Sequence, residues 1–236
     1  MKHLDRYYNN CNKEQLLFLR NSYTINSYWY NYFDNILKNK MDIKKQLKEN
    51  PVLCIDTETG GFNPKEDALC SIAVLLPNGD STKEWYIYPY NKNYNEEAMK
   101  INGLCLEFLR DNGVTIEQFK IEFIEYIKEN FDVSTYKKIQ LLGHNVSFDI
   151  GFLKEALKEQ YNLFLHYHFK DSMILANMLK DIKIIPINQS ISLKSLYIYL
   201  CGEDELSNNA HNSLSDAVMS LEIYSKMLDL TKIKNG

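Results

Sequence analysis

The run Val52-Leu53-Cys54-Ile55-Asp56-Thr57-Glu58-Thr59-Gly60-Gly61 constrains this chain more than any other segment. An apolar stretch leads straight into two carboxylates at i and i+2, then stops in a Gly-Gly turn. Side chains alternate faces along a strand, so Asp56 and Glu58 project from one side of a sheet. Two acids at the end of a buried strand are costly unless a cation or a proton neutralises them. The arrangement suits a divalent-metal site and, through it, phosphate chemistry. One Asp-x-Glu is also what chance supplies in so acidic a chain, so the rest of the sequence must decide.

At 236 residues the chain fits one domain with an appendage, or two small domains. Its 45% hydrophobic and 25% charged residues can bury a core, as in a soluble globular protein. There is no apolar N-terminal h-region and no apolar run long enough to cross a bilayer, so a cytoplasmic protein without a membrane partner is expected. Cys11, Cys54, Cys70, Cys105 and Cys201 are odd in number and never form CxxC. Buried thiols in a reducing compartment fit them better than disulfides or zinc ligation. Net charge is uneven: residues 1–50 carry nine Lys/Arg against five Asp/Glu, while 51–236 carry eighteen against twenty-six. A body at −8 is a poor electrostatic match for nucleic acid unless bound cations change its field.

Residues 1–50 predict a helical, basic and aromatic extension, with helices over Lys13–Arg20 and Tyr32–Leu47. Pro51 marks the boundary with a second unit, 51–236. There the pattern turns to strands at Val52–Thr57, Leu69–Leu76 and Glu84–Tyr88, with links short enough for an antiparallel meander. Helices are expected at Glu96–Ile101, Thr115–Glu129, Ser147–Glu159, Ser172–Leu179, Leu193–Leu200 and Ala217–Leu228, and strands at Ile139–Leu142 and Leu163–Phe169. Three antiparallel strands followed by alternating helices and strands imply a mixed α/β sheet.

Two further acid-bearing segments stand out. Gly143-His144-Asn145-Val146-Ser147-Phe148-Asp149 spans a strand-to-helix junction and sets Asp149 in a first helical turn, where the helix dipole also favours a carboxylate. His211-Asn212-Ser213-Leu214-Ser215-Asp216 precedes the last helix. His-x4-Asp spacing by itself selects nothing, because His144/Asp149, His166/Asp171 and His211/Asp216 all have it. Context selects. His166 falls in an apolar-alternating strand, whereas His211 falls in a polar loop beside a carboxylate, where a histidine makes a better general base.

In order and interval, Asp56-x-Glu58-Thr59, His144-Asn145-x-x-Phe148-Asp149 and His211-x4-Asp216 resemble the DEDDh class of 3′–5′ exonucleases. That class includes the proofreading subunit of bacterial replicative polymerases, RNase T and oligoribonuclease. Ala98–Leu104, Phe108-Leu109 and Lys170–Ala176 resemble filler segments of the same family. The likeness covers about Pro51 to Leu230. It implies an RNase H-like mixed five-stranded sheet flanked by helices, with three antiparallel strands and then parallel ones. The segment Ala68–Leu76 lacks an acid often seen there, the turn Gly60-Gly61-Phe62-Asn63-Pro64 is richer in glycine than the commoner Thr-Gly-Leu form, and residues 1–50 match nothing in the family core.

The resemblance implies a metal-dependent 3′–5′ exonuclease that releases nucleoside 5′-monophosphates from single-stranded ends, DNA favoured in the manner of a proofreader. Two divalent ions, Mg²⁺ or Mn²⁺, suit oxygen-only ligands. Asp56 would bridge them, Glu58 and Asp216 would complete the first site, Asp149 would hold the second, and His211 would take the proton from the attacking water. Thr59, Gly60, Gly61, His144, Asn145 and Phe148 would meet the terminal nucleotides, with core packing the alternative for Phe148. Tyr23, Tyr28, Trp29, Tyr30, Tyr32 and Phe33 would grip single strands or dock a partner, or else pack as helices. The main alternative is an RNA-trimming or oligoribonuclease-like enzyme. A catalytically silent nucleic-acid or polymerase-binding module would have no need of all five chemical residues. Family members occur as monomers in polymerase assemblies and as homodimers, and the sequence does not choose.

Overall fold

The computed structural model describes residues 51–79, 81–132, 138–208 and 212–233. Segment 1–50, with its two expected helices and aromatic cluster, and the expected base His211 lie outside these residues. The elements are β1 (Val52–Thr59), β2 (Leu69–Leu75), β3 (Thr82–Tyr86), α1 (Glu96–Ile101), α2 (Leu106–Asn112), α3 (Ile116–Asn130), β4 (Ile139–Gly143) and α4 (Ser147–Leu157). A 3₁₀ turn (Lys158–Gln160), α5 (Tyr161–Phe164), β5 (Leu165–Asp171), α6 (Ser172–Asp181), α7 (Leu193–Cys201), α8 (Glu205–Asn208) and α9 (Ser213–Ile233) follow.

The five strands form one sheet in the order β3-β2-β1-β4-β5. β1–β2 and β2–β3 are antiparallel, while β1–β4 and β4–β5 are parallel. This is the expected mixed sheet with flanking helices. β1 is central and covered on both faces, which is why Val52, Leu53, Cys54 and Ile55 are all buried and read as an unbroken apolar run. On the α3/α4 side, Trp85 packs edge-on against Phe119 and Tyr126 and beside Phe123. Aromatic pairs of this kind contribute about 0.5–1.5 kcal/mol each beyond their buried area. Ala176, Leu179, Leu196, Tyr197, Met219 and Ile223 form a second core among α6, α7 and α9.

Several boundaries differ from expectation for identifiable reasons. The fifth strand begins at Leu165 rather than Leu163, because Ile139↔Leu165 and Gly143↔Asp171 set its register on β4 and Tyr161–Phe164 is a helical turn. It is an edge strand whose middle residues face water, and His166 is one of its partly exposed side chains. α4 ends at Leu157, two residues early, where Lys158 takes φ 53°. The last helix begins at Ser213 rather than Ala217, so Asp216 sits within its first turn rather than ahead of it. Asn212 caps that start: its side-chain oxygen accepts from the Ser215 N–H and its carbonyl from the Asp216 N–H. The short helices α2, α5 and α8 were not expected. Among the described cysteines Cys54 and Cys70 are buried free thiols, Cys201 is half-buried, and Cys105 is exposed, contrary to the expectation of burial. Among the described residues no helix is long and apolar enough to cross a membrane.

Candidate active site

The site forms where the carboxyl end of β1 outruns its parallel neighbour. β1 pairs with β4 only through Val52↔Gln140, Leu53↔Leu141 and Cys54↔Leu142, so beyond Cys54 one edge of β1 is open to other partners. On one face of the sheet the cross-strand rows read Asp56–Ala73–Glu84 and Glu58–Ser71–Tyr86. α9 packs over this face and brings Asp216. Ligand atoms of Asp56, Glu58 and Asp216 all lie within 4.8 Å of one another. The i, i+2 spacing thus does what alternation requires, and Asp216 supplies a third acid from a distant helix.

Asp149 approaches from α4, at the open edge of β1. Its Oδ1 accepts from the Thr57 hydroxyl at 2.6 Å, and it also takes a backbone hydrogen bond at Thr57. Asp149 is 4% exposed. Burial pushes its carboxyl up to about 7, against the Thr57 bonds, which pull it down. Glu58 is pushed up to about 8, by burial first and then by Asp216, Asp149 and Glu84. Asp56 is also held well above the usual carboxylate range, by burial and then by Asp149, Asp216 and Glu58, although the residue as a whole keeps some solvent exposure. Acids that raise one another in this way hold protons when no cation is bound. An all-oxygen donor set of this charge fits hard divalent cations.

The turn ahead of α4 is held from β5. Asp171 accepts from the N–H groups of Asn145 (3.1 Å), Val146 (3.0 Å), Met173 (2.8 Å) and Ile174 (3.3 Å). It therefore caps α6 and fixes Asn145 at φ 58° in the same step. His144 Nδ1 lies 2.8 Å from the Ser172 hydroxyl, which also bonds the Gly143 carbonyl. Burial lowers the pKa of the His144 imidazole, favouring its neutral form.

At the end of β1 the Thr59 hydroxyl donates to the Gly61 carbonyl, and Asn102 donates to the Thr59 carbonyl. Gly60 bonds Ala68 through its N–H and Asn95 through its carbonyl. A Cβ on Gly61 would lie 2.2 Å from Asp67, and one on Gly60 would lie 2.9 Å from the Tyr94 backbone. Close approach of the neighbouring loop therefore explains both glycines. Just beyond, Phe62 is 88% exposed and meets Phe148 edge-on at a centroid distance of 6.3 Å. Phe148 itself rests half-buried on the core. Sequence reasoning placed Asp56, Glu58, Asp149 and Asp216 here but passed over Phe62, Thr57, Asp171, Glu84, Ser71 and Ser213. Only the glycine-rich turn before Phe62 carried a signal.

The sequence profile of the exonuclease family RNase T matches residues 53–224, most of the chain. The chain belongs to that family. It is a DEDDh 3′–5′ exonuclease of the RNase H-like superfamily, a hydrolase of phosphodiester bonds, in a family that uses divalent metals. Ribonuclease T of Shewanella denitrificans is 25% identical over 194 residues, which cover 77% of this chain and 82% of that one. Ribonuclease T of Haemophilus ducreyi is 26% identical over 200 residues, covering 79% and 88%. Among solved structures, an E. coli exonuclease I–single-stranded DNA complex superposes with a TM-score of 0.60 at 18% identity over 77% of this exonuclease. The RNase domain of yeast Pop2 superposes at 0.56 and 16% identity over 83% of it. These two likenesses concern the fold. The chain spans about two fifths of the exonuclease I chain, covering 42% of it.

Proposed function

We propose that this exonuclease shortens single-stranded nucleic acid from the 3′ end, with RNA ends the first substrate to try and DNA ends the second. The observation that carries the reading is the grouping of Asp56, Glu58 and Asp216 within 4.8 Å, with Asp149 at the open edge of the same strand. The relatives matched over most of their length are named ribonuclease T, which weights RNA over the DNA preference drawn from sequence order. The exonuclease I likeness, in complex with single-stranded DNA, supports the second substrate.

Asp56, Glu58, Asp149 and Asp216 would hold two divalent ions, Mg²⁺ or Mn²⁺. Such ions supply an activated water and charge relief at the scissile phosphate. Asp56 would be the central ligand: burial first, and then Asp149, Asp216 and Glu58, hold its carboxyl above the usual range. Thr57 orients Asp149 through its hydroxyl. His211 would accept the proton of the attacking water, a task for which an imidazole is suited near neutral pH. Phe62 offers an exposed ring face for a terminal base, with Phe148 bracing its edge. Residues 1–50 would form a separate extension whose removal spares the chemistry.

The test is digestion of 5′-labelled RNA and DNA oligomers of one sequence with Mg²⁺, Mn²⁺ or EDTA. A metal-dependent ladder from the 3′ end is expected, abolished by Asp56→Ala and slowed about 10²- to 10⁴-fold by His211→Ala. Cleavage that survives EDTA or Asp56→Ala would overturn the metal-site reading. Faster loss of DNA than RNA would restore the proofreading-type preference.

A further inference from the structure

Ser213, in the first turn of α9, is 1% exposed, and so is Ser71 on β2. Their hydroxyl oxygens are 2.7 Å apart. The Ser213 hydroxyl also donates to Glu84 Oε1 on β3 at 2.8 Å, and Tyr86 donates to the other Glu84 oxygen at 2.9 Å. A hydroxyl has one proton to give, and Ser213 gives its own to Glu84. The direction is therefore settled: Ser71 donates to Ser213, and Ser213 donates to Glu84. This chain of bonds runs from two strands of the sheet to the helix that carries Asp216.

We propose that Glu84 and Ser71, acting through the hydroxyl of Ser213, are positioning residues that set Asp216 against Asp56 and Glu58. Ser213 and Asp216 are three residues apart in one helix, so a tie at the first fixes the rotation that aims the second at the sheet. The cross-strand rows make the tie possible. Asp56 and Glu84 flank Ala73, whose small side chain leaves room for α9 to approach, and Ser71 stands directly opposite Glu58. Asn212 caps the same turn and fixes where α9 starts, but it makes no such bond to the sheet among the described contacts. The Cys54 thiol on the Ala217 carbonyl at 3.2 Å is a second, weaker tie on the same helix. The Glu84–Ser213–Ser71 bonds therefore govern how closely three like-charged carboxylates are held before a cation joins them. Their consequence is divalent-metal affinity rather than substrate affinity.

This inference rests on the exonuclease reading of the acid trio, and the experiment separates the two. Mn²⁺ binding is measured by calorimetry, without nucleic acid, on the full chain and on Ser213→Ala, Ser71→Ala, Glu84→Gln and the Ser213→Ala/Glu84→Gln double variant. Ser213→Ala changes no charge, so a loss of affinity there reports geometry. The expected result is a roughly 10- to 150-fold weaker Mn²⁺ affinity, the scale of one hydrogen bond to a charged acceptor. A smaller loss is expected for Ser71→Ala, and little further loss when Glu84→Gln is added to Ser213→Ala. In steady-state digestion the same variant should need more Mn²⁺ for half-maximal rate, recover its kcat at excess metal and keep its oligomer KM. Wild-type Mn²⁺ affinity in Ser213→Ala with only a lower melting temperature would reduce the tie to a structural contact and overturn the proposal. Additive losses in the double variant would show that Glu84 acts by its field and not through Ser213, overturning it as well. A wild-type chain that binds no Mn²⁺ would remove the metal site itself, and with it both readings.

Discussion

Phe62 keeps 88% of its surface in water although it follows the turn that closes β1. It is the most exposed of the large apolar side chains among the described residues, whereas its neighbour Phe148 rests half-buried on the core. A ring held in the open, braced at its edge by Phe148, is suited to stack on a flat, desolvated base. Phe62→Ala should raise the KM for single-stranded oligomers about 5- to 150-fold, the equivalent of roughly 1–3 kcal/mol per stacked base. It should leave kcat within about threefold and the melting temperature unchanged, because little packing is lost. Steady-state kinetics on one labelled oligomer decides it: an unchanged KM would leave Phe62 a surface residue without a part in binding. Nothing in the residue type reveals this in advance. A phenylalanine after Gly-Gly reads equally as core, and only the packing of Gly60 and Gly61 under Tyr94 and Asp67 turns it outward.

At the scale of elements, the site depends on junctions more than on strand or helix interiors. Asp171 ends β5, caps α6 and, through the N–H groups of Asn145 and Val146, fixes the turn that launches α4 and Asp149. It is 7% exposed, so removing its carboxylate strands four buried or half-buried N–H groups. Asp171→Ala should cost about 2–4 kcal/mol of stability, read as a fall in melting temperature, with Asp171→Asn recovering part of it. Equal melting of both variants and wild type would refute the clamp. Junctions are also where the sequence was least legible. β1, β2 and β4 stand out because their apolar runs and flanking turns agree with their final burial. β5 does not, because its register is dictated by β4 and its Asp171 by the cap of α6. The start of α9 was obscured by its serines, which favour caps and turns as readily as helices. One of them, Ser213, turns out to be tied to two strands.

For the molecule as a whole, the clustered acids of the candidate site also oppose folding when no cation is present. Glu58 is pushed up to about 8 and Asp149 to about 7, with Asp56 raised alongside them. In the unfolded chain these groups lose their protons near pH 4. Between about pH 4 and 8 the folded state therefore holds protons that the unfolded state has released, so stability falls as pH rises through that window. The contribution is fully present below the unfolded values and is lost once pH passes the folded ones. Metal-free protein should accordingly melt at a lower temperature at pH 8 than at pH 6. Mg²⁺ or Mn²⁺ should reverse the trend, because an ion that binds the folded site displaces its protons and adds binding energy to stability. The largest melting shift on adding metal is then expected near pH 8, where protons no longer compete. Proton release per ion should be greatest near pH 6–7 and fade above about pH 9. Asp56→Asn and Glu58→Gln remove the repulsion instead of answering it, so either should raise the metal-free melting temperature at pH 8 while abolishing the metal-induced shift. Thermal melts from pH 5 to 9, with and without Mn²⁺ and with proton release followed in a weak buffer, read all of these at once. A metal-free stability that rises from pH 6 to 8, or a melting curve indifferent to millimolar metal, would mean that the four acids do not form one preformed cation site.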